Sequence, residues 1–531
     1  MNGNSRVDRR FLLLGEGLLL LCLLALCVFL LYSPRERASL VFDPLVYAVQ
    51  SINLAHGEGN TITSEGEAYH GYYPAGYPLL IVPVHWVAGV HLQNGVIVNF
   101  VLGLFILLCV YLLGRRVAGP LAGGTAVVLL IKLDIFRFIA HQAIAEMSGV
   151  AASALMTLCV FAGWRGEGRS GGFRLLAGLV GGLAVVLRYA NFGVPVALGV
   201  FAVVVPASRT SRWRTALPTW IGIGVAALLT LMHNQICYGG LLDSGYSRLG
   251  GSVLPAFSLK FILDPPVMQI DQDPWPILRA SLGFGHLHPW PMALAALLGA
   301  VYAWTCRGEW RRPWILTLMT VTVMVLEGAF LSLYFFRTPL YLTLYLPPLV
   351  ILAGALPTRF LHRVLAHRGR ALSWVPTLPL LLALAYLVPE LSQAPVLKED
   401  DGGKGTERVR VFRALDAALE ENAVLVGATN PVLGQYVFAS RGRRIFYFLD
   451  DLVGGLQGMP PKDRETGEVL EEMDGFITRM QGESRPVYIL TLPPTDPSET
   501  WICQEIYQFL QDRFQLIATP VFGIAKVGER R

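Results

Sequence analysis

Long apolar stretches alternate with short polar loops along most of the chain. Apolar runs of about 17–25 residues predict helices that cross a membrane. We predict about eleven such helices, and they make this a polytopic α-helical membrane protein. The predicted spans are residues 11–32, 95–113, 120–136, 146–163, 174–188, 192–207, 215–232, 288–305, 314–335, 339–357 and 372–389. The first apolar run is too long for a signal peptide and has no small-residue cleavage site after it, so we expect a retained helix.

Arginine marks one set of the short loops. Positive residues stay on the cytoplasmic side of a membrane, so these loops and the N-terminus are expected in the cytoplasm. The loops contain Arg6, Arg9 and Arg10; Arg115 and Arg116; Arg165, Arg169 and Arg174; Arg209, Arg212 and Arg214; Arg307, Arg311 and Arg312; and Arg359, Arg363, Arg368 and Arg370.

Residues 76–90 are apolar enough to be mistaken for another span. A crossing there would place Arg115 and Arg116 outside and would invert every later arginine cluster. The segment also contains Pro78 and Pro83. We therefore expect an interfacial helix on the outer leaflet.

This topology divides the chain in two. Residues 1–389 form the predicted transmembrane domain, with a first outer loop at 33–94 and a large outer loop at 234–287. Residues 390–531 form a predicted periplasmic α/β domain. Its pattern predicts helices at 406–422 and 499–514, strands at 423–428, 444–449 and 486–492, and a final strand or hairpin at 514–527.

The composition is typical of a membrane protein, and the sequence shows no motif for a zinc or nucleotide cofactor. Of the 531 residues, 53% are hydrophobic and 15% charged, which is too little charge for a soluble protein of this size. The seven cysteines include no CxxC pair and no Cys/His cluster, so neither a zinc site nor a disulfide framework is indicated. No nucleotide-binding glycine motif occurs. We expect no cofactor, leave a divalent metal open, and expect no nucleic-acid partner. The absence of an Asn-x-Ser/Thr sequon favours a bacterial inner membrane.

Polar and aromatic residues that could take part in catalysis or binding gather at the predicted outer end of the bundle. Asp43 lies just past the first span, where a helix meets water, and a loop rich in tyrosine follows it at residues 69–78. The same end is predicted to hold Arg137, His141, Arg188, His233, Asn234 and Arg337.

Six short motifs follow one another in this part of the chain. They are Asp43 with Tyr47 and Gly57; Tyr72-Tyr73-Pro74-Ala75-Gly76-Tyr77-Pro78; the segment from His141 to Glu146; Arg188-Tyr189-Ala190-Asn191; the run from His233-Asn234 to Gly245-Tyr246; and Arg337-Thr338-Pro339 leading to Pro347-Pro348. In this order and on this side, they resemble the GT-C membrane glycosyltransferases that use polyprenyl-phosphate sugars. The relevant types are the protein O-mannosyltransferases and the lipid A aminoarabinose transferases. One departure is that Asp43 is followed by Pro44, where the family often has Asp-Glu.

The resemblance implies an inverting transfer of a sugar from a polyprenyl-phosphate donor to a lipid, glycan or protein acceptor, among membrane lipids. Such a transfer passes through an oxocarbenium-like state, and a carboxylate can take the acceptor's proton. Arginine suits the leaving phosphate because its planar fork binds phosphate through two hydrogen bonds. The implied catalytic residues are Asp43 and Glu146. The implied phosphate ligands are Arg337, Arg188 and Arg137, and the implied pocket residues are Tyr47, Tyr73, Tyr77, His141, Asn234 and Tyr246.

Each residue also has a structural interpretation. Asp43-Pro44 could cap a helix, the tyrosines could form an interfacial belt, and the arginines could snorkel. Glu146 could interact with a helix dipole, and lone histidines such as His141 often make structural hydrogen bonds. A transporter or lipid flippase is the rival function, although transporters place ionisable groups near the bilayer midplane. A polysaccharide polymerase or ligase is a further alternative.

Overall fold

The structure is a computed structural model. It describes residues 4–32, 43–64, 67–71, 73–164, 170–205, 212–245, 297–301, 317–319, 321–323, 326, 343–365, 377–393, 419–420, 422–427, 445–448, 466–490, 508–518 and 524–530.

The described part is mainly helical. The α-helices are α1 (Asn4–Leu31), α2 (Asp43–Ala55), α3 (Gly76–Ala88), α4 (Gly95–Ala118), α5 (Pro120–Lys132), α6 (Asp134–His141), α7 (Glu146–Gly163), α8 (Ser170–Leu187), α9 (Gly193–Val204), α10 (Arg212–Tyr238), α11 (Leu346–Leu365), α12 (Leu378–Gln393) and α13 (Thr466–Gly482). A short 3₁₀ helix, Tyr189–Phe192, joins α8 to α9.

Five helical stretches of the described residues are long and apolar enough to cross a membrane. They are Gly95–Ala118, Glu146–Gly163, Ser170–Leu187, Ala216–Tyr238 and Thr343–Leu361. Shorter apolar helices occupy Glu16–Leu31, Gly76–Ala88, Pro120–Lys132 and Tyr189–Val204. The predicted spans at 288–305 and 314–335 lie largely outside the described residues, so the number of about eleven stays a prediction.

The predicted span at 120–136 is divided. Helix α5 ends at Lys132, Leu133 is extended with φ −69° and ψ 118°, and α6 begins at Asp134. An acidic residue at the first position of a helix is favoured by the helix dipole, which explains a new start at Asp134. This break turns the chain before it enters α7.

Glycine allows α8 and α10 to pack closely. A Cβ added at Gly178 would lie 2.0 Å from the main-chain oxygen of Thr219, and one at Gly182 would lie 2.5 Å from the Cβ of Ala226. Small residues four apart on one helix face let two membrane helices approach until their backbones touch. The α8–α10 pair is therefore fixed by shape, and it carries the segments that follow each helix to the same end.

The two ends of α4 differ in chemistry. At its C-terminal end, Arg115 pairs with Glu16 of α1, and Arg359 of α11 donates to the carbonyl of Val117 at 2.6 Å. At its N-terminal end, Asn99 contacts the segment between α6 and α7. With a rise of about 1.5 Å per residue, these ends are roughly 25–30 Å apart. Arginines from two of the predicted cytoplasmic clusters thus share one end of the bundle.

The first outer loop is more structured than the sequence indicated. After α2, strands β1 (Thr61–Ser64) and β2 (Glu67–His70) form an antiparallel hairpin, which was not predicted. Helix α3 then has 13 residues, or about 20 Å, which is too short for a hydrocarbon core of about 30 Å. This length agrees with the expectation that 76–90 does not cross by itself, which stays a prediction. Its interfacial position stays a prediction.

The described tail contains a mixed five-stranded sheet. Strands β3 (Val424–Gly427), β4 (Ile445–Phe448), β5 (Val487–Leu490), β6 (Phe514–Ala518) and β7 (Ile524–Arg530) lie in the order β4-β3-β5-β7-β6. The first three are mutually parallel in this order, and β7 and β6 are antiparallel to their neighbours. Strands β3, β4 and β5 fall inside the predicted segments. The predicted helix at 406–422 lies almost wholly outside the described residues, and the boundary at 389/390 stays a prediction.

Helix α13 was missed by the sequence analysis. Its buried residues Met473, Ile477 and Met480 repeat at helical spacing and pack under the sheet. That spacing was the available signal.

Candidate active site

Asp43 is the first residue of α2, and its carboxylate is held by a tyrosine. The hydroxyl of Tyr73 donates a hydrogen bond to Oδ1 of Asp43. Tyr47 lies one helical turn after Asp43, so both side chains share a face of α2. The ring of Tyr47 lies 4.6 Å from that of Tyr73 and 5.0 Å from that of Tyr77, the latter edge to face. The structure thus brings Asp43 and these three tyrosines together.

Side-chain amides fix the loop that carries Tyr73. Nε2 of Gln50 donates to Oδ1 of Asn60 at 2.8 Å and to the carbonyl of Tyr73 at 3.0 Å. Nδ2 of Asn60 donates to the same carbonyl at 3.1 Å. Two buried amides bind the carbonyl of Tyr73 and fix its backbone. The hydroxyl of Tyr73 is therefore held in position to bond Asp43.

Glu146 and Arg188 form a buried ion pair. Nη1 of Arg188 lies 2.8 Å from Oε1 of Glu146, and the two side chains are only 6% and 5% exposed. Glu146 opens α7, and Arg188 is the extended residue that follows α8. A buried ion pair persists only when the two charges are well matched, because each charge is costly to remove from water.

The surroundings of Tyr47 indicate that Asp43 lies close to the Glu146–Arg188 ion pair. Burial raises the pKa of Tyr47 well above its ordinary value. The guanidinium of Arg188 lowers this pKa, while the carboxylates of Asp43 and Glu146 raise it. All three charges therefore act on one phenol, and the residues named at 43, 47, 73, 77, 146 and 188 form one site.

Asn99 of α4 supports this site from beneath. Its Oδ1 accepts a hydrogen bond from the hydroxyl of Tyr77 at 3.0 Å. Its Nδ2 donates to the carbonyls of Gln142 at 2.6 Å and Ile144 at 2.8 Å, with a longer contact to Ile139 at 3.2 Å. Asn99 is fully buried. It therefore fixes both the tyrosine group and the turn that leads into Glu146.

A second polar group lies at the C-terminal end of α10. Oδ1 of Asn234 accepts from the hydroxyl of Tyr189 at 3.0 Å, and Nδ2 of Asn234 donates to the carbonyl of Leu241 at 3.3 Å. The hydroxyl of Tyr238 donates to the carbonyl of Gly71 at 2.7 Å. The end of α10 is thereby tied to the residue after Arg188 and to the first outer loop.

Comparison with known proteins matches the whole architecture. ArnT from Cupriavidus metallidurans, solved in the apo state and bound to undecaprenyl phosphate, matches with a TM-score of 0.60 and 14% identity, over 96% of this chain and 97% of that one. An oligosaccharyltransferase from Archaeoglobus fulgidus, solved with zinc and sulfate, matches with a TM-score of 0.55 and 12% identity, over 96% of this chain and 73% of that one. The chain has the GT-C fold. No protein-family model and no curated protein sequence matches it.

Two of the expected site residues, His141 and Arg137, lie outside the contacts of the candidate site described above. Nε2 of His141 donates to the carbonyl of Leu30 at 3.1 Å, which joins α6 to the end of α1. Burial lowers the pKa of His141. Arg137, one turn earlier on α6, pairs with the exposed carboxylate of Asp134. Their roles in the pocket and in phosphate binding stay predictions.

Arg337 and Tyr246 lie outside the described residues. The roles expected of them on a GT-C fold, phosphate binding for Arg337 and pocket formation for Tyr246, stay predictions.

Within the described segments, no group of three or more His, Cys, Asp or Glu side chains is placed to hold a metal ion. Asp43 and Glu146 are the described acids of the candidate site, and each has a partner: Tyr73 for the first, Arg188 for the second.

The sequence analysis missed Asn99, Gln50, Asn60 and Tyr189. Asn99 had a signal, since a polar amide within a predicted span is expensive in lipid and marks an inward face. Gln50 and Asn60 had none, because their importance depends on a loop that returns to α2 from more than ten residues away.

Proposed function

We propose that this protein is a membrane glycosyltransferase that moves a sugar from a polyprenyl-phosphate donor to a lipid, glycan or protein acceptor. The observation that carries the proposal is the joint site of Asp43, Tyr47 and the Glu146–Arg188 pair at one end of a GT-C bundle. Support for the donor comes from the ArnT structure with undecaprenyl phosphate, a relative in fold.

Asp43 is the proposed general base. Transfer with inversion is a single displacement at the anomeric carbon, and the acceptor hydroxyl must lose a proton as it attacks. The hydrogen bond from Tyr73 orients the carboxylate of Asp43, and the stacked rings of Tyr47 and Tyr77 fix the helix face behind it. A single fixed carboxylate suffices for this proton transfer.

Arg188 is the proposed ligand of the leaving phosphate among the described residues. A guanidinium has five N–H donors in a plane, so an ion pair with Glu146 is compatible with further hydrogen bonds to phosphate oxygens. Glu146 then acts as a positioning residue, because it orients Arg188 and balances its charge in the absence of donor. Arg337 and Arg137 are proposed as further phosphate ligands.

The proposed site faces the periplasm. The site is at the end of the bundle opposite the arginines at 115 and 359. Positive residues stay on the cytoplasmic side. The N-terminus is accordingly placed in the cytoplasm and the tail after residue 390 in the periplasm.

In the test, the purified protein is given a set of polyprenyl-phosphate sugars together with lipid, glycan and peptide acceptors. Release of free polyprenyl phosphate and glycosylation of an acceptor are then followed by thin-layer chromatography. We expect release from at least one donor, and its loss in the Asp43→Asn variant. Release of a polyprenyl diphosphate from diphosphate-linked glycans would instead support a polymerase or ligase. Movement of intact lipid between leaflets with no release would support the flippase.

A further inference from the structure

Three rings meet where α10 ends against the first outer loop. The rings of His70 and Tyr238 are 6.0 Å apart at 76°, and those of His233 and Tyr238 are 5.8 Å apart at 69°. We call these three residues the ring cluster. They come from β2 and α10, which lie far apart in the sequence, so the fold rather than a local turn assembles them.

The ring cluster is linked to both charged parts of the proposed active site through hydrogen bonds and short stretches of chain. On one side, Tyr238 donates to the carbonyl of Gly71, and two residues later Tyr73 donates to Asp43. On the other side, Asn234 lies one turn before Tyr238 on α10 and accepts from Tyr189, the residue after Arg188. Hydrogen bonds thus connect the ring cluster both to the base and to the phosphate ligand.

Two buried polar atoms beside this junction lack partners. Nε2 of His233 and Oε1 of Gln50 are buried and have no hydrogen-bond partner among the residues that the structure describes. The carboxamide of Gln50 lies directly against Gly71, since a Cβ there would come within 1.8 Å of Nε2. Gln50 is fully buried. A buried polar atom without a partner costs about 1–3 kcal/mol, so two such atoms at one junction point to a polar ligand.

The chemistry of the junction fits a sugar. Aromatic rings offer flat apolar surfaces to the C–H face of a sugar ring. A hydroxyl can both donate and accept, so it satisfies an imidazole nitrogen in either tautomer and an amide oxygen.

We propose that the ring cluster, with Gln50, is a binding site for the saccharide ring that takes part in the transfer, whether this ring belongs to the donor or to the acceptor. The inference rests on the proposed function. It adds a site for the sugar to the residues that handle the proton and the phosphate.

The experiment measures sugar binding without requiring transfer. The full-length protein in detergent is titrated with methyl glycosides of mannose, galactose, glucose and arabinose, and thermal unfolding is followed by intrinsic fluorescence. Sorbitol at equal concentration corrects for general stabilisation by polyols. A specific ligand raises the unfolding temperature once its concentration exceeds the Kd, and the rise then grows with the logarithm of the concentration. We expect this from at least one glycoside. We expect His233→Phe, which removes the unpartnered nitrogen, and Tyr238→Leu, which removes an aromatic face, to weaken its binding about tenfold or more.

Controls separate this inference from the proposed function. His56→Phe makes the same exchange at an exposed histidine and is expected to leave glycoside binding unchanged. Asp43→Asn is expected to lose transfer but keep glycoside binding, so the two proposals fail separately. Stabilisation by none of the glycosides beyond that given by sorbitol, or equal stabilisation of the parent and both ring-cluster variants, would overturn the inference. A glycoside that becomes glycosylated identifies the acceptor sugar, and one that competes with the donor identifies the donor sugar.

Discussion

Arg188 closes an ion pair with Glu146 across 2.8 Å, with both side chains almost completely buried. Removing one partner of such a pair leaves an uncompensated buried charge, which costs about 3–5 kcal/mol. We therefore expect Glu146→Leu to lower the unfolding temperature strongly in detergent, and the double variant Glu146→Leu with Arg188→Met to recover most of the loss. Both variants should be inactive in sugar transfer.

The matched control for this pair is Glu420→Ala. Glu420 pairs with Lys526 at 2.8 Å, but the two side chains are 51% and 39% exposed, and exposed ion pairs contribute little to stability. We expect the unfolding temperature of this control variant to stay near that of the parent protein. A double variant no more stable than Glu146→Leu alone would show that the pair does more than neutralise charge.

Asp43 is expected to control the rate rather than the fold. As a general base it contributes roughly 10²–10⁴-fold. Asp43→Asn should lose that much transfer activity at an unchanged unfolding temperature, since an amide can still accept from Tyr73. Tyr73→Phe should reduce the rate less, because the carboxylate remains. Glu58→Gln alters an exposed acid of the same loop and should be neutral. A parental rate in Asp43→Asn would leave Asp43 as a helix cap only.

Asn99→Ala should impair the site without touching a substrate. It removes the donor to the carbonyls of Gln142 and Ile144 and the acceptor of Tyr77. Buried groups left unpaired cost about 1–3 kcal/mol each. We expect lower stability and a lower kcat with a smaller change in KM. Thr125→Val removes a buried hydroxyl that donates to the carbonyl of Leu121 within α5 at 2.9 Å, and it should leave kcat unchanged.

Gly178→Ala tests the contact between α8 and α10. A methyl group there would lie 2.0 Å from the oxygen of Thr219, so the helices must separate, at a cost of roughly 1–3 kcal/mol. Gly172→Ala, on the same helix, meets nothing within 4 Å and should be neutral or slightly stabilising. The comparison requires only two thermal unfolding curves. Equal curves would contradict the close packing.

Sidedness is tested by reporter fusions. Alkaline phosphatase, which is active only in the periplasm, should be active when fused after Arg531 and inactive when fused at Arg312. The expectation follows from the arginine asymmetry, because positive loops stay in the cytoplasm. An inactive fusion after Arg531 would place the tail in the cytoplasm. It would contradict the proposal that the site faces the periplasm.

Helices that depend on local pattern were predicted well. The runs that became α4 and α7 are continuous and apolar, and their starts lie at the predicted residues. The first-loop hairpin was missed because strands of four residues give almost no periodic signal. The break at Leu133 was missed although two charged residues, Lys132 and Asp134, flank it within the predicted span.

The site was predicted as a set of residues but not as a set of contacts. Asp43, Tyr73 and Tyr77 were placed together because they share a loop, and the structure brings them together. The partnership of Glu146 with Arg188 follows from how α7 and α8 pack, and no local pattern records the relative rotation of two helices. Sequence reasoning therefore treated the two residues as separate.

The hydrogen bond from Tyr238 to Gly71 has a mechanical consequence. Gly71 and Tyr73 are separated by a single residue, and Tyr73 holds the carboxylate of Asp43. A shift of the C-terminal end of α10 would thus act on the backbone that positions Tyr73 against Asp43. Because α10 packs closely against α8 at Gly178 and Gly182, we expect a change at that helix contact to reach Asp43 through Tyr238 and Tyr73.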